Sequence, residues 1–150
     1  MNEFIIKGKQ GFIRIGLNEI YGFPNETSYL GGYDVKGIVE IKSGSYFVKN
    51  AEIWFSTGQV YEFFTQLQKC YNNLKGFVTF SESENNLKIN LSFNKFGQIN
   101  IQGYFQEVAH HENILQFEFE SEQSYFVSTL HQLKDIVDQY GDLKGIKSGL

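Results

Sequence analysis

Leu87-Lys88-Ile89-Asn90-Leu91-Ser92-Phe93 alternates apolar and polar residues without a break. Successive side chains of an extended strand point to opposite faces, so this stretch predicts a strand with one buried and one wet face. The same period recurs on both sides. Downstream, Ile99, Ile101 and Phe105 oppose Gln98, Asn100 and Gln102, and Leu115, Phe117 and Phe119 oppose Gln116, Glu118 and Glu120. Upstream, Phe77–Phe80 is a short β-like run. Further back, Tyr33, Val35, Val39 and Ile41 alternate with Asp34, Lys36 and Glu40; Ser43-Gly44-Ser45 turns the chain, and Tyr46–Phe55 returns as a hairpin partner. Phe4–Lys7 and Phe12–Leu17 complete the strand signals. Ser81–Asn86 and Asn94–Gly97 read as turns, and 106–113 as a polar loop. Residues 18–32, with the only proline (Pro24) among Asn, Gly and Ser, read as a surface connection.

Two segments change period. Val60, Phe63, Phe64, Leu67, Cys70, Tyr71 and Leu74 recur at helical spacing, leaving a polar face of Glu62, Gln66 and Lys69. Ser56 or Thr57 can cap the start, Ser56 and Gln59 have capping-box spacing, and Gly76 can take the left-handed turn that stops a helix. A second stripe, Phe126, Leu130, Leu133, Val137 and Tyr140, ends at Gly141. The expected helices are about 57–75 and 123–140, with the tail 142–150 fraying. Phe63, Leu67, Cys70 and Leu74 lie 63 positions before Phe126, Leu130, Leu133 and Val137, which suggests two β-rich halves each ending in a helix. Strands with a wet face exclude a parallel sheet covered on both sides. The expected fold is α+β: largely antiparallel sheet, with both helices packed on one apolar face of a single domain, 1–150.

Composition narrows the function. The 150 residues carry 13 Lys+Arg against 17 Asp+Glu, net −4, and 41% of them are apolar. That is a folded chain with enough length for a core. No apolar run approaches the ~20 residues of a membrane helix, and Met1-Asn2-Glu3 opens no signal segment, so a cytoplasmic protein is expected. One Cys excludes an internal disulfide framework, and a single Arg, Arg14, in an acidic chain argues against nucleic-acid binding. No dinucleotide fingerprint, phosphate-binding loop or nucleophile elbow occurs. Gly44-Ser45 and Ser148-Gly149 hold turn and tail serines with no His or Asp placed to activate them. His110 and His111, near Glu107 and Glu112, are the best metal or acid–base candidates. Adjacent residues of an extended loop point apart, though, and His131 lies on a helix among polar neighbours, so a solvated loop is the reading taken. Cys70 falls on a core stripe and reads as a small buried hydrophobe. Trp54 and the many Phe and Tyr could line a ligand cleft, but most occupy core-facing positions. No catalytic residue, metal or cofactor is expected.

The charge is unevenly placed. Between Lys95 and Lys134 there is no cation, while Glu107, Glu112, Glu118, Glu120 and Glu122 fall inside, leaving the rest of the chain at +1. Glu118 and Glu120 alternate with Phe117 and Phe119 and so leave the core face together. Glu122 continues that side towards the last helix. Such a stripe would attract a basic partner; the bland alternative is a solvated strand face, with Glu122 complementing a helix N-terminus.

From Tyr61 to Val137 the chain resembles the WapI family of immunity proteins, which are paired with polymorphic toxins of Gram-positive bacteria. The resemblance lies in Glu62-Phe63-Phe64 through Leu67, the Leu74-Lys75-Gly76 stop, Phe80, Glu84 and Leu87, Gly97 to Gly103, and Leu115-Gln116-Phe117-Glu118-Phe119-Glu120-Ser121-Glu122-Gln123-Ser124-Tyr125. The order of these blocks carries it. It covers about half of the chain, excluding 1–30 and matching 33–55 only loosely. It implies a non-catalytic cytoplasmic protein that binds and neutralises a cognate toxin domain, in that family's best-known setting a nuclease. Read with the charge pattern, the expected contact is Glu118, Glu120 and Glu122, with Glu107 and Glu112. The competing class is a small-ligand module with an aromatic-lined cleft. A concave pocket with convergent polar groups would favour it; a closed core with an acidic outer face would favour the immunity protein.

Overall fold

The computed structural model describes residues 2–147. Eight strands and two α-helices form two antiparallel four-stranded sheets, an α+β fold as the alternation predicts. The first sheet takes β1 (Asn2–Lys7), β2 (Gly11–Tyr21), β3 (Asp34–Ser43) and β4 (Tyr46–Ser56) in chain order. Helix α1 (Thr57–Asn73) follows. The second sheet takes β5 (Gly76–Ser81), β6 (Leu87–Phe93), β7 (Gln98–Gln106) and β8 (Ile114–Glu122), and α2 (Phe126–Tyr140) closes the fold. Ser148-Gly149 and the end of the tail lie outside the described residues.

The expected connection at 18–32 begins four residues too early. β2 runs on to Tyr21, because its register against β3 slips between Leu17 and Glu19. A bulge at Asn18 inserts one residue, so the inward positions Leu17 and Ile20 lie three apart and the period of two is lost locally. The hairpin of β3 and β4 closes through Ser43 and Tyr46 as read, with a second bulge opposite Val39–Ile41.

Helix α1 begins with the capping box: Ser56 Oγ accepts the Gln59 N–H (3.1 Å), and Gln59 Oε1 accepts the Ser56 N–H (2.9 Å). It ends differently from expectation. Leu74, at φ 52°, takes the left-handed position itself, and Gly76 (φ 105°) opens β5. The second helical segment also starts later. Gln123–Tyr125 form a 3-10 turn, α2 proper starts at Phe126, and it has no side-chain cap. Ile136 is buried on its stripe, with Val137 half-buried beside it. Within the described residues, the start of the expected fraying tail is instead held as far as Ile146. Asp142 Oδ1 accepts the N–H groups of Lys144 (2.8 Å) and Ile146 (3.0 Å), bonds that hold its carboxyl below the ordinary value. The Gly32 N–H also donates to the Leu143 carbonyl.

The helices do not share one face of one sheet; each crosses to the other half. α1 packs on β5 and α2 on β1, and the helices pack on each other. The hairpin turns cross too. The turn after β1 donates Lys9 N–H to Glu120 O on β8, and the turn after β5 donates Ser83 N–H to Trp54 O on β4, both at 2.7–2.8 Å. These acceptors lie 66 positions apart, one helical turn from the 63 of the stripes, so the halves are related by reciprocal exchange. A single buried cluster fills the centre. Phe80 of β5 meets Phe4 of β1, Phe55 of β4 and Phe63 of α1, with ring centroids 5.5–6.0 Å apart. Gly103 of β7 leaves room for the paired Phe117 of β8, whose ring would lie 2.8 Å from any Cβ there.

Candidate functional site

β8 is an edge strand whose inner side chains, Phe117, Phe119 and Ser121, are buried. Alternation therefore sends Glu118, Glu120 and Glu122 to the outer face, and all three are exposed. In register they lie beside Gln102, Asn100 and Gln98 of β7. Those amides meet Asn90 and Ser92 of β6. The outer face of the second sheet is thus a field of side-chain amides with carboxylates along one margin. Asn100 Nδ2 donates to Glu118 Oε2 at 3.0 Å, holding that carboxylate in place.

The structure divides the five sequence-predicted glutamates. Glu118, Glu120 and Glu122 share one strand face. Glu107 and Glu112 are exposed in the loop before Ile114, at the other end of β8, where Ile114 lies about 20 Å from Glu120 by strand rise. Glu107 lines a separate groove of about 480 Å³ with Phe47 and Lys49 of β4. A cation also stands close to the stripe. Lys9, bonded through its backbone at Glu120, lines a depression of about 320 Å³ with Asn94, Gln98, Asn100, Glu118 and Glu120. Sequence reading missed this neighbour because it comes from a turn 111 residues away, with no local signal.

The remaining candidates separate from this face. His110, His111 and His131 are all exposed, and no three His, Cys, Asp or Glu side chains converge among the described residues. Cys70 is buried, with Sγ 3.7 Å from the Phe77 carbonyl. Burial pushes its thiol above the ordinary value, against a small opposing effect of Lys69. Nine of the 15 Phe belong to the core. Trp54 does not: it stacks on Tyr21 at 5.9 Å on the outer face of the first sheet. Both are tied to carboxylates. Trp54 Nε1 donates to Glu52, and the Tyr21 hydroxyl donates to Glu19, which raises its pKa above the ordinary tyrosine value. An open groove of about 470 Å³ lies beside the pair, reaching Tyr29 and Glu84. Glu82 is another residue the sequence did not single out. It is 3% exposed, and its carboxylate accepts the N–H groups of Glu84, Asn86 and Leu87 to build the turn between β5 and β6. No helix among the described residues is long and apolar enough to cross a membrane.

Fold and outer face together define an α+β protein of two exchanged halves, with a packed centre and an exposed acidic strand. The model of the immunity protein WapI-like family matches residues 4–141, and the chain belongs to that family. The match extends the resemblance seen in 61–137 back through the first sheet, where the residues alone had shown little. No curated protein and no solved structure matches the chain.

Proposed function

We propose that this chain is a non-catalytic cytoplasmic immunity protein, acting as one domain over 1–150, that binds a basic toxin domain and neutralises it. The observation that carries the reading is the family match over 4–141. The outer face supports the polarity of the partner. A toxin acting on nucleic acid must hold phosphates with Lys and Arg, and the carboxylates of Glu118, Glu120 and Glu122 stand exposed on a pre-ordered strand. Glu107 and Glu112 form a second, separate acidic spot beyond the other end of β8. The action is occlusion: a basic surface covered by this face loses its hold on nucleic acid. No nucleic acid, membrane or cofactor enters this mechanism.

The test is co-expression with a candidate cognate toxin domain, chosen from large toxin genes found beside the gene of this chain, scored by growth. Rescue of growth, with a complex recovered from the same cells, is expected. Continued killing by a toxin domain co-expressed with folded, soluble protein would sink the reading for that pair.

A further inference from the structure

We propose that the free edge of β8 between Ile114 and Phe119 takes an extended segment of the toxin domain as an added strand, with Lys or Arg alternating with apolar residues. This rests on the immunity reading and specifies how the partner is held. Among the described residues, β8 pairs with β7 on one side and with no strand on the other. At Glu120 the edge is closed: the carbonyl accepts the Lys9 N–H at 2.7 Å, and the Glu120 N–H reaches Gln10 Oε1 at 3.4 Å. In a strand, the N–H and C=O of one residue point the same way, and the direction alternates along the chain. The same edge therefore carries the N–H and C=O groups of Ile114, Gln116 and Glu118. Among the described residues, no main-chain bond from another element reaches these three.

Such an edge templates pairing unless charge, proline or a bulge guards it. Between Ile114 and Phe119, β8 has no proline and no bulge, and Glu118 is its one charged side chain. Ile114 is 48% exposed, and across the groove of about 480 Å³ stand Tyr46 and Phe47 of β4, 69% and 51% exposed. Among the described residues, Lys49 is the only cation lining that groove. The chemistry of the occupant follows from the faces of β8. Cross-strand neighbours share a face, so alternate side chains of an added strand lie beside Gln116 and Glu118, with Glu107 at the groove wall. Cations complement these carboxylates. The intervening side chains lie on the side of Leu115 and Phe117, which favours apolar residues.

The probe is an acetylated Lys-Val-Lys-Val-Lys-Val peptide, compared with Lys-Lys-Lys-Val-Val-Val of equal charge, added to the full chain. Amide exchange at Gln116 and Glu118 should slow about tenfold at saturation, and the alternating peptide should bind more tightly. Gln116→Pro removes an amide that points away from β7, a substitution edge strands tolerate. It should weaken the alternating peptide about tenfold, while Gln116→Ala leaves binding within about twofold. Unslowed exchange at both amides, or equal binding of the two peptides, overturns the proposal. Should Gln116→Pro fail to fold, the exchange measurement on the unaltered chain decides. A toxin domain neutralised while both amides exchange freely removes the added strand and leaves the immunity reading. Protection by the peptide with no neutralisation of the adjacent toxin does the reverse.

Discussion

Glu82 shows how one side chain can organise a turn that composition describes only as polar. Its buried carboxylate takes three main-chain N–H groups that β5 and β6 leave unpaired where the chain reverses. Glu82→Ala takes away the shared acceptor of those three donors, so a loss of about 1–3 kcal/mol is expected; urea unfolding measures it, and an unchanged midpoint would contradict this role. Cys70 makes the opposite case, a reactive residue type made inert. Burial raises its thiol pKa, so less thiolate exists at neutral pH than for a free cysteine. Labelling by a thiol reagent is expected to be slow in the folded chain and fast in urea. Equal rates in both would show Cys70 to be accessible. The residue type and its place on a helical stripe made Cys70 legible in the sequence. Glu82 was not legible, since its three partners are set by a turn geometry that no local pattern encodes.

At the level of elements, strands of strict alternation were legible almost to the residue. β6 spans Leu87–Phe93 as its pattern implies, because every inward position carries a large apolar side chain and every outward one a polar group. Where a bulge inserts a residue, as in β2 at Asn18, the pattern fails and so does the boundary. The core side chains carry the packing. Phe117 fills the space above Gly103, and Leu130 lies on the buried stripe of α2. Phe117→Ala and Leu130→Ala should each cost about 2–5 kcal/mol through the cavity left behind, read from chemical denaturation. The outer face of β8 should behave differently. Glu118→Lys with Glu120→Lys changes exposed side chains, so the melting temperature should stay near that of the unaltered protein. Association with a basic toxin domain should slow, and the difference should shrink as salt screens the long-range attraction. Unchanged association at low salt by the folded double variant would move the contact elsewhere.

For the whole molecule, the exchange between halves has a direct consequence. α1 covers β5 and α2 covers β1, and each half lends a hairpin turn to the last strand of the other. Each half therefore relies on the other's helix to finish burying its sheet. Fragments 1–75 and 76–150 should each lack cooperative folding alone and recover helical and strand signal when mixed, as followed by circular dichroism. A stable, cooperatively melting fragment would show that the exchange is dispensable. What the amino-acid sequence determined by itself is everything that depends on near neighbours: alternating strands, helical stripes, the Ser56–Gln59 cap, the cation-free window and the order of blocks that marks the family. Those follow from periods of 2 and 3.6 residues and from the side-chain chemistry at each position. The tertiary structure alone decided that the strands divide into two sheets, that the helices cross over, and that Glu107 and Glu112 stand apart from Glu118, Glu120 and Glu122. It also decided that Lys9 reaches Glu120 and that the edge of β8 stays open as far as that contact. These depend on which distant surfaces meet, and many pairings of amphipathic elements satisfy the same local pattern; only the packing of one shared core selects among them.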